Sequence, residues 1–279
     1  MKNHVRMSKY FAAVAGISAL ASIGTANAAV STLVLDTFQA SPSTSNALAG
    51  STADIGGTWA PLSTVSNGST GTATAVITPP SGSTAGYVTL QTTANGNFID
   101  NNAGIAITPA SNGTLTLEAN ITYNAASEWA AIGFAPSATT VDAISNAEPW
   151  ALINTSTGGY QLFEGPGTAN KAMGVTSSTY TGTTTVEMTY NLASGAVALS
   201  LGNGANASSL TQVGQFTYAT LPTAPGAIFI ALRGDQAPAT FSNLSLTQVA
   251  TPEPASLAVF AAGSAGLLLL SRRRLTSRI

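Results

Sequence analysis

The chain has 279 residues, a formal net charge of −2, no cysteine and a single histidine, His4. Without cysteine there are no disulfides or thiolate metal sites, and a lone histidine beside the N-terminus excludes a histidine general base, a Ser-His-Asp triad and the usual zinc centres from everything downstream. Between residues 29 and 250 ten acids face only Lys171 and Arg233, a net of eight negative charges, so no basic patch is available for nucleic acid.

The elements begin with an export signal. Lys2, Arg6 and Lys9 form a basic region, Phe11 to Ile23 an apolar one, and Ala26-Asn27-Ala28 matches the small-x-small pattern cut by signal peptidase. Residues 1–28 therefore read as a signal peptide, with cleavage after Ala28. Short strands are expected at 31–38, 73–77 and 87–92. The clearest follows at Thr114 to Tyr123, where Leu115, Leu117, Ala119, Ile121 and Tyr123 share one face and polar residues the other. Further strands are expected at 128–134, 150–154 and 160–164. The alternation returns at Thr183 to Tyr190, and at Ala196 to Leu201 with Val197, Leu199 and Leu201 inward. Strands at 214–218, 227–232 and 239–249 complete the series. In the last, the apolar phase slips between Phe241 and Leu244, which predicts a bulge near Ser242-Asn243. Turn signals such as Asn112-Gly113, Ser194-Gly195 and Asn203-Gly204 separate the strands. A dozen short strands with no amphipathic helix between them predict an all-β, two-sheet antiparallel sandwich over residues 29–250.

The final segment, 251–279, changes character. Pro252-Glu253-Pro254 precedes an apolar run from Ala255 to Leu270, and Arg272, Arg273 and Arg274 follow it. As a helix the run of 16 residues covers about 24 Å, somewhat short of a bilayer core. Snorkelling arginines and local thinning close that gap, and the arginines place this end on the cytoplasmic side as a stop signal.

That order of motif, transmembrane helix and basic tail resembles the PEP-CTERM sorting signal of Gram-negative bacteria. The resemblance implies a partner of the exosortase type that recognises and cuts the signal, transient anchoring after export through the inner membrane, and a cell-envelope, surface or secreted destination often linked to exopolysaccharide and biofilm. A second resemblance runs through Leu35-Asp36-Thr37-Phe38, Trp59, Glu128 to Ala135, Pro149 to Leu152, and Phe241 to Leu246. It is to the concanavalin A-like (laminin G-like) jelly roll, in which the first and last strands pair.

Retaining glycosidases on such a scaffold need two closely spaced carboxylates. No two acids lie i, i+2 or i, i+4 on one expected strand, so the chain reads as non-enzymatic. The ligand-binding candidates are Asp142, Asn146, Glu148 and Trp150, on and beside the connection between strands 128–134 and 150–154. An exposed tryptophan stacks on a sugar ring while carboxylates and amides take its hydroxyls. The same oxygens, Asp142 and Glu148 above all, fit calcium, the one cofactor considered. The competing reading makes Trp150 and Trp129 core residues and Glu148 and Glu164 solvated charges, and it carries more weight because tryptophans of a sandwich mostly fill its interior. The favoured function is a surface-sorted envelope or matrix protein whose non-catalytic sandwich serves adhesion or structural contact. The alternative is a lectin-like carbohydrate-binding module or a degenerate glycoside hydrolase.

Overall fold

The structure is a computed structural model. It describes residues 28–39, 46–60, 63–66, 70–81, 86–95, 99–123, 129–139, 148–154, 159–166, 170–175, 182–234 and 238–250. The remainder of the expected signal peptide, the membrane helix 255–270, the sorting motif with its arginines, and the residues Asp142 and Asn146 lie outside these.

Sixteen strands are present among the described residues: β1 (Val30–Asp36), β2 (Asn46–Ala47), β3 (Ser63–Ser66), β4 (Thr70–Thr78), β5 (Tyr87–Asn95), β6 (Ile99–Ala106), β7 (Thr114–Tyr123), β8 (Trp129–Ala135), β9 (Trp150–Asn154), β10 (Gly159–Phe163), β11 (Asn170–Val175), β12 (Thr183–Asn191), β13 (Ala196–Asn203), β14 (Thr211–Thr217), β15 (Ala227–Gly234) and β16 (Ala239–Val249). They form two antiparallel sheets. One has nine strands in the order β14-β13-β12-β7-β16-β5-β4-β2, with β1 also on β16, and the other has seven, β11-β10-β9-β8-β15-β6-β3.

Side-chain alternation puts the core between the sheets. In β7 Leu115, Leu117, Ala119 and Ile121 are fully buried, and they meet Ile132, Phe134, Ile153, Ile228 and Ile230 of the seven-stranded sheet in one apolar cluster. Val197, Leu199 and Leu201 of β13 face the same layer, as the alternation predicts. The expected bulge is present: the β16–β7 register shifts between Ser242 and Ser245, and Asn243 takes a left-handed φ of 51°. β16 also joins the two ends of the domain, its first residues pairing with β5 and its last with β1, so that Val30 sits opposite Val249. Asp36, at the end of β1, is buried and accepts hydrogen bonds from Trp59 Nε1 and the Phe38 amide, both at 2.7 Å.

Four strands were not expected: β2, β3, β6 and β11. β6 is the instructive case, because Ile99-Asp100-Asn101-Asn102-Ala103-Gly104 has turn composition. The structure instead buries Asn101 and Asn102 completely. Asn101 Nδ2 reaches across the sandwich to the carbonyls of Thr74 (2.9 Å) and Gln91 (3.3 Å). The Asn101 donor is thereby satisfied, which lets an amide enter a core strand whose composition alone argues otherwise, while its Oδ1 has no hydrogen-bond partner among the described residues.

Candidate functional site

The centre of the seven-stranded sheet is buried on both faces, which explains why β8 reads as a continuous apolar run where β7 alternates. On its outer side Ala131, Trp150, Leu152, Phe163 and Phe229 form a second apolar cluster, with Trp129 partly buried at its margin. Gly133 makes that layer possible: a Cβ there would lie 2.4 Å from Trp150 Cβ and 2.8 Å from Phe229 Cε1. Trp150 is fully buried, stacks on Phe163 at 4.1 Å and 10°, and donates from Nε1 to the Gly165 carbonyl at 3.0 Å.

Polar and aromatic groups gather beside this layer. Glu148 is anchored through its amide to the Phe134 carbonyl (2.6 Å), and Phe134 in turn donates to Pro149 O (2.9 Å). Half-buried Glu148 lies against the turn after β10, where a Cβ on Gly165 would stand 3.6 Å from its Oε1. Burial, and then the neighbouring charge of Glu164, hold the Glu148 carboxyl above its ordinary range. Glu164 itself pairs with Lys171 Nζ at 2.5 Å. Its carbonyl accepts the phenol of Tyr218, which follows β14 of the nine-stranded sheet.

Tyr190, at the inner end of β12, bridges the sheets. Its ring lies 5.8 Å from Phe134 and 5.9 Å from Tyr218. Burial, and then Glu148, push the Tyr190 phenol up to about 12, and burial raises Tyr218 further in the same direction, with Tyr190, Glu148 and Glu164 adding to it. Tyr190 is buried and Tyr218 packs against the same core while its phenol donates to the Glu164 carbonyl, so both rings belong to the packing between the sheets.

Of the residues expected to bind ligand, Glu148 and Trp150 come together here, while Asp142 and Asn146 lie outside the described residues. Trp150 turns its ring into the apolar layer and not to solvent. Among the described residues no group of three His, Asp or Glu side chains is placed to hold a metal ion. Sequence reasoning missed Tyr190, Tyr218 and Lys171, which come from distant strands. The available signal was Tyr190 itself, a phenol on the inward face of β12 with no polar partner on its own strand.

The two sheets define an all-β, two-sheet antiparallel sandwich. The family model of the PEP-CTERM protein-sorting motif matches residues 250–274, so the chain carries that motif directly after β16. The motif marks export and sorting through a C-terminal membrane anchor, with recognition by an exosortase-type enzyme. No curated protein matches the chain. Among solved structures it is similar to the exoplasmic/lumenal domain of VIP36 in a Ca2+/Man2-bound form, at 9% identity and TM-score 0.48 over 80% of this chain and 89% of that one. It is also similar to arcelin-5, a lectin-like defense protein from Phaseolus vulgaris (11%, TM-score 0.44, 68% and 93%). A third is lectin I-B4 from Griffonia simplicifolia in its metal-free form (8%, TM-score 0.40, 67% and 99%).

Proposed function

We propose that the protein is a surface-sorted envelope or extracellular-matrix component whose sandwich makes non-catalytic adhesive or structural contacts, with exopolysaccharide as partner. The observation that carries this reading is the junction of sandwich and sorting motif. β16 ends at Val249, paired with Val30, and the motif starts at residue 250. The domain's two ends thus leave from adjacent, paired strands, next to both expected processing points. The reading is supported too by how the chemistry-bearing side chains are used: Trp59 holds Asp36, Trp150 holds the Gly165 carbonyl, and Lys171 holds Glu164. Deleting the exosortase-type enzyme should leave a longer, membrane-held form that no longer reaches the matrix fraction. Unchanged mass and location would reject sorting, and a sorted protein without affinity for the cell's exopolysaccharide would reject the contact role.

The rival reading is a lectin-like module with its ligand, saccharide or calcium, at Asp142, Asn146, Glu148 and Trp150. The half-buried Glu148 beside Glu164 and the two phenols favours it. Glycan binding measured with calcium and with chelator tests it, and calcium-dependent binding lost in Glu148→Gln would displace the structural reading.

A further inference from the structure

The outer face of the nine-stranded sheet carries an electrostatic conflict that nothing within the sheet relieves. Glu187 of β12 stands directly opposite Glu118 of β7, both on the polar side of their strands. Like charges in directly opposed cross-strand positions destabilise a sheet. Burial and the Glu118 charge hold the Glu187 carboxyl above its ordinary range. No Lys, Arg or His occurs on any of the nine strands. Of the two bases between residues 29 and 250, Lys171 is bound to Glu164 and Arg233 lies on β15 of the other sheet.

The surroundings are hydroxyls and amides. The registers flank the two acids with Ser200 on β13 and Ser245 on β16. The neighbouring row runs Ala198, Thr189, Thr116, Thr247 across the same four strands, each step about 4.8 Å. Beside it lies a groove of about 370 Å³, lined by Thr114, Thr189, Asn191, Gln215 and Thr217 together with the apolar Ala196, Val197, Ala198 and Phe216. Beyond the acids, Asn206 rises from the β13–β14 connection as a wall, its Oδ1 accepting Asn120 Nδ2 (2.9 Å) and Asn243 Nδ2 (3.0 Å).

We propose that this face binds a linear polysaccharide bearing free amino groups, its ammonium groups set against Glu118 and Glu187 and its hydroxyls over the adjoining groove. Charge complementarity selects a cation. The two rows across β13, β12, β7 and β16 contain no aromatic or large aliphatic side chain, and the groove beside them adds only Phe216 and Val197, little for the core of a protein interface. A second copy of the chain on a two-fold axis would bring four carboxylates together. Hydroxyls and amides spaced along a shallow groove suit a polyol chain. The proposal rests on the exopolysaccharide reading and specifies its surface and its chemistry.

The test titrates the full chain, in detergent at about 0.15 M salt, with a glucosamine hexamer and with its fully N-acetylated counterpart. The free-amine hexamer is expected to bind at least about tenfold more tightly. The E118Q/E187Q double variant should lose about tenfold for the amine hexamer only, whereas Ala198→Leu, which fills the groove, should weaken both; thermal melts verify that each variant folds. Asp54→Asn, an exposed carboxylate outside both rows and the groove, should change neither. Equal affinity for the two hexamers, or indifference to the E118Q/E187Q pair, overturns the proposal. A matching loss in Asp54→Asn would reveal non-specific charge attraction and also overturns it, as would hexalysine binding as tightly as the amine hexamer. If the hexamer fails while the cell's own exopolysaccharide still binds, the amine site falls and the envelope-contact reading stands. If neither binds, both fall.

Discussion

Trp150 and Gly133 form one packing unit, and each sets the cost of changing the other. The indole is fully buried, stacked on Phe163 and hydrogen-bonded to the Gly165 carbonyl, so Trp150→Ala should cost about 3–5 kcal/mol in a denaturant titration. Glu148→Gln, at the half-buried rim, should stay within about 0.5 kcal/mol. A Trp150→Ala protein of wild-type stability that had lost a ligand would instead make the indole a binding residue. Gly133→Ala drives a methyl to within 2.4 Å of Trp150 Cβ, an atom fixed to backbone that cannot swing aside. Overpacking of this kind costs about 1–3 kcal/mol, and a neutral result would mean that β8 and β9 separate more easily than their pairing implies. Leu117, fully buried on β7, should lose about 2–5 kcal/mol on truncation to alanine. A loss below about 0.5 kcal/mol would reject the inward register of that strand.

At the scale of the element, legibility follows how many faces a strand buries. β7, β12 and β13 bury one face, so Leu117, Met188 and Leu199 alternate with polar neighbours and the pattern can be read directly. The bulge in β16 was legible for the same reason, since a slipped phase can be satisfied only by an extra residue. β8 lies between two apolar layers and shows no period, and β6 hides behind buried asparagines, of which Asn101 has its acceptors, Thr74 and Gln91, on other strands. The candidate site divides along the same line. Glu148 and Trp150 are neighbours in sequence and were visible together, whereas Tyr190, Tyr218 and Lys171 join them only through the sheet order. The β7–β12 pair also makes a pH prediction. Glu187 is held above its ordinary 4.5 by burial and by Glu118, so the folded chain binds that proton more tightly than the unfolded one. This contribution to stability is fully present below 4.5 and is lost as pH rises through the folded value. Glu187→Gln should therefore raise the unfolding midpoint at pH 7 and flatten its fall just above pH 4.5, as read from denaturation curves across pH. An unchanged slope would mean that neither burial nor the Glu118 charge raises the Glu187 carboxyl.

For the whole molecule, the pairing of β1 with β16 ties maturation to stability. Val30 is opposite Val249, and the expected signal-peptide cut after Ala28 and the sorting motif from residue 250 both fall outside that pairing. Processing at the two ends should therefore cost the sandwich nothing. A mature form spanning 29–250 should melt at the same temperature as the unprocessed chain, and its N-terminal sequence should start at Ala29. Envelope-fraction protein that still begins at Met1 would refute the cleavage. Trimming only eight residues further, so that the chain starts at Thr37, should have the opposite effect. It removes β1 and with it the whole ladder from Val30 to Asp36, the buried Val34, and the carboxylate that takes the Trp59 indole and Phe38 amide. Those two donors would be left without Asp36 in an interior site, at about 1–3 kcal/mol each, in addition to the lost burial. For a domain whose total stability is about 5–15 kcal/mol, the shortened chain should fail to accumulate or should melt far below the mature form. If it melted alongside the mature form, β1 would be an appendage on the sandwich, and its pairing with β16 could not be what holds the domain's two ends together.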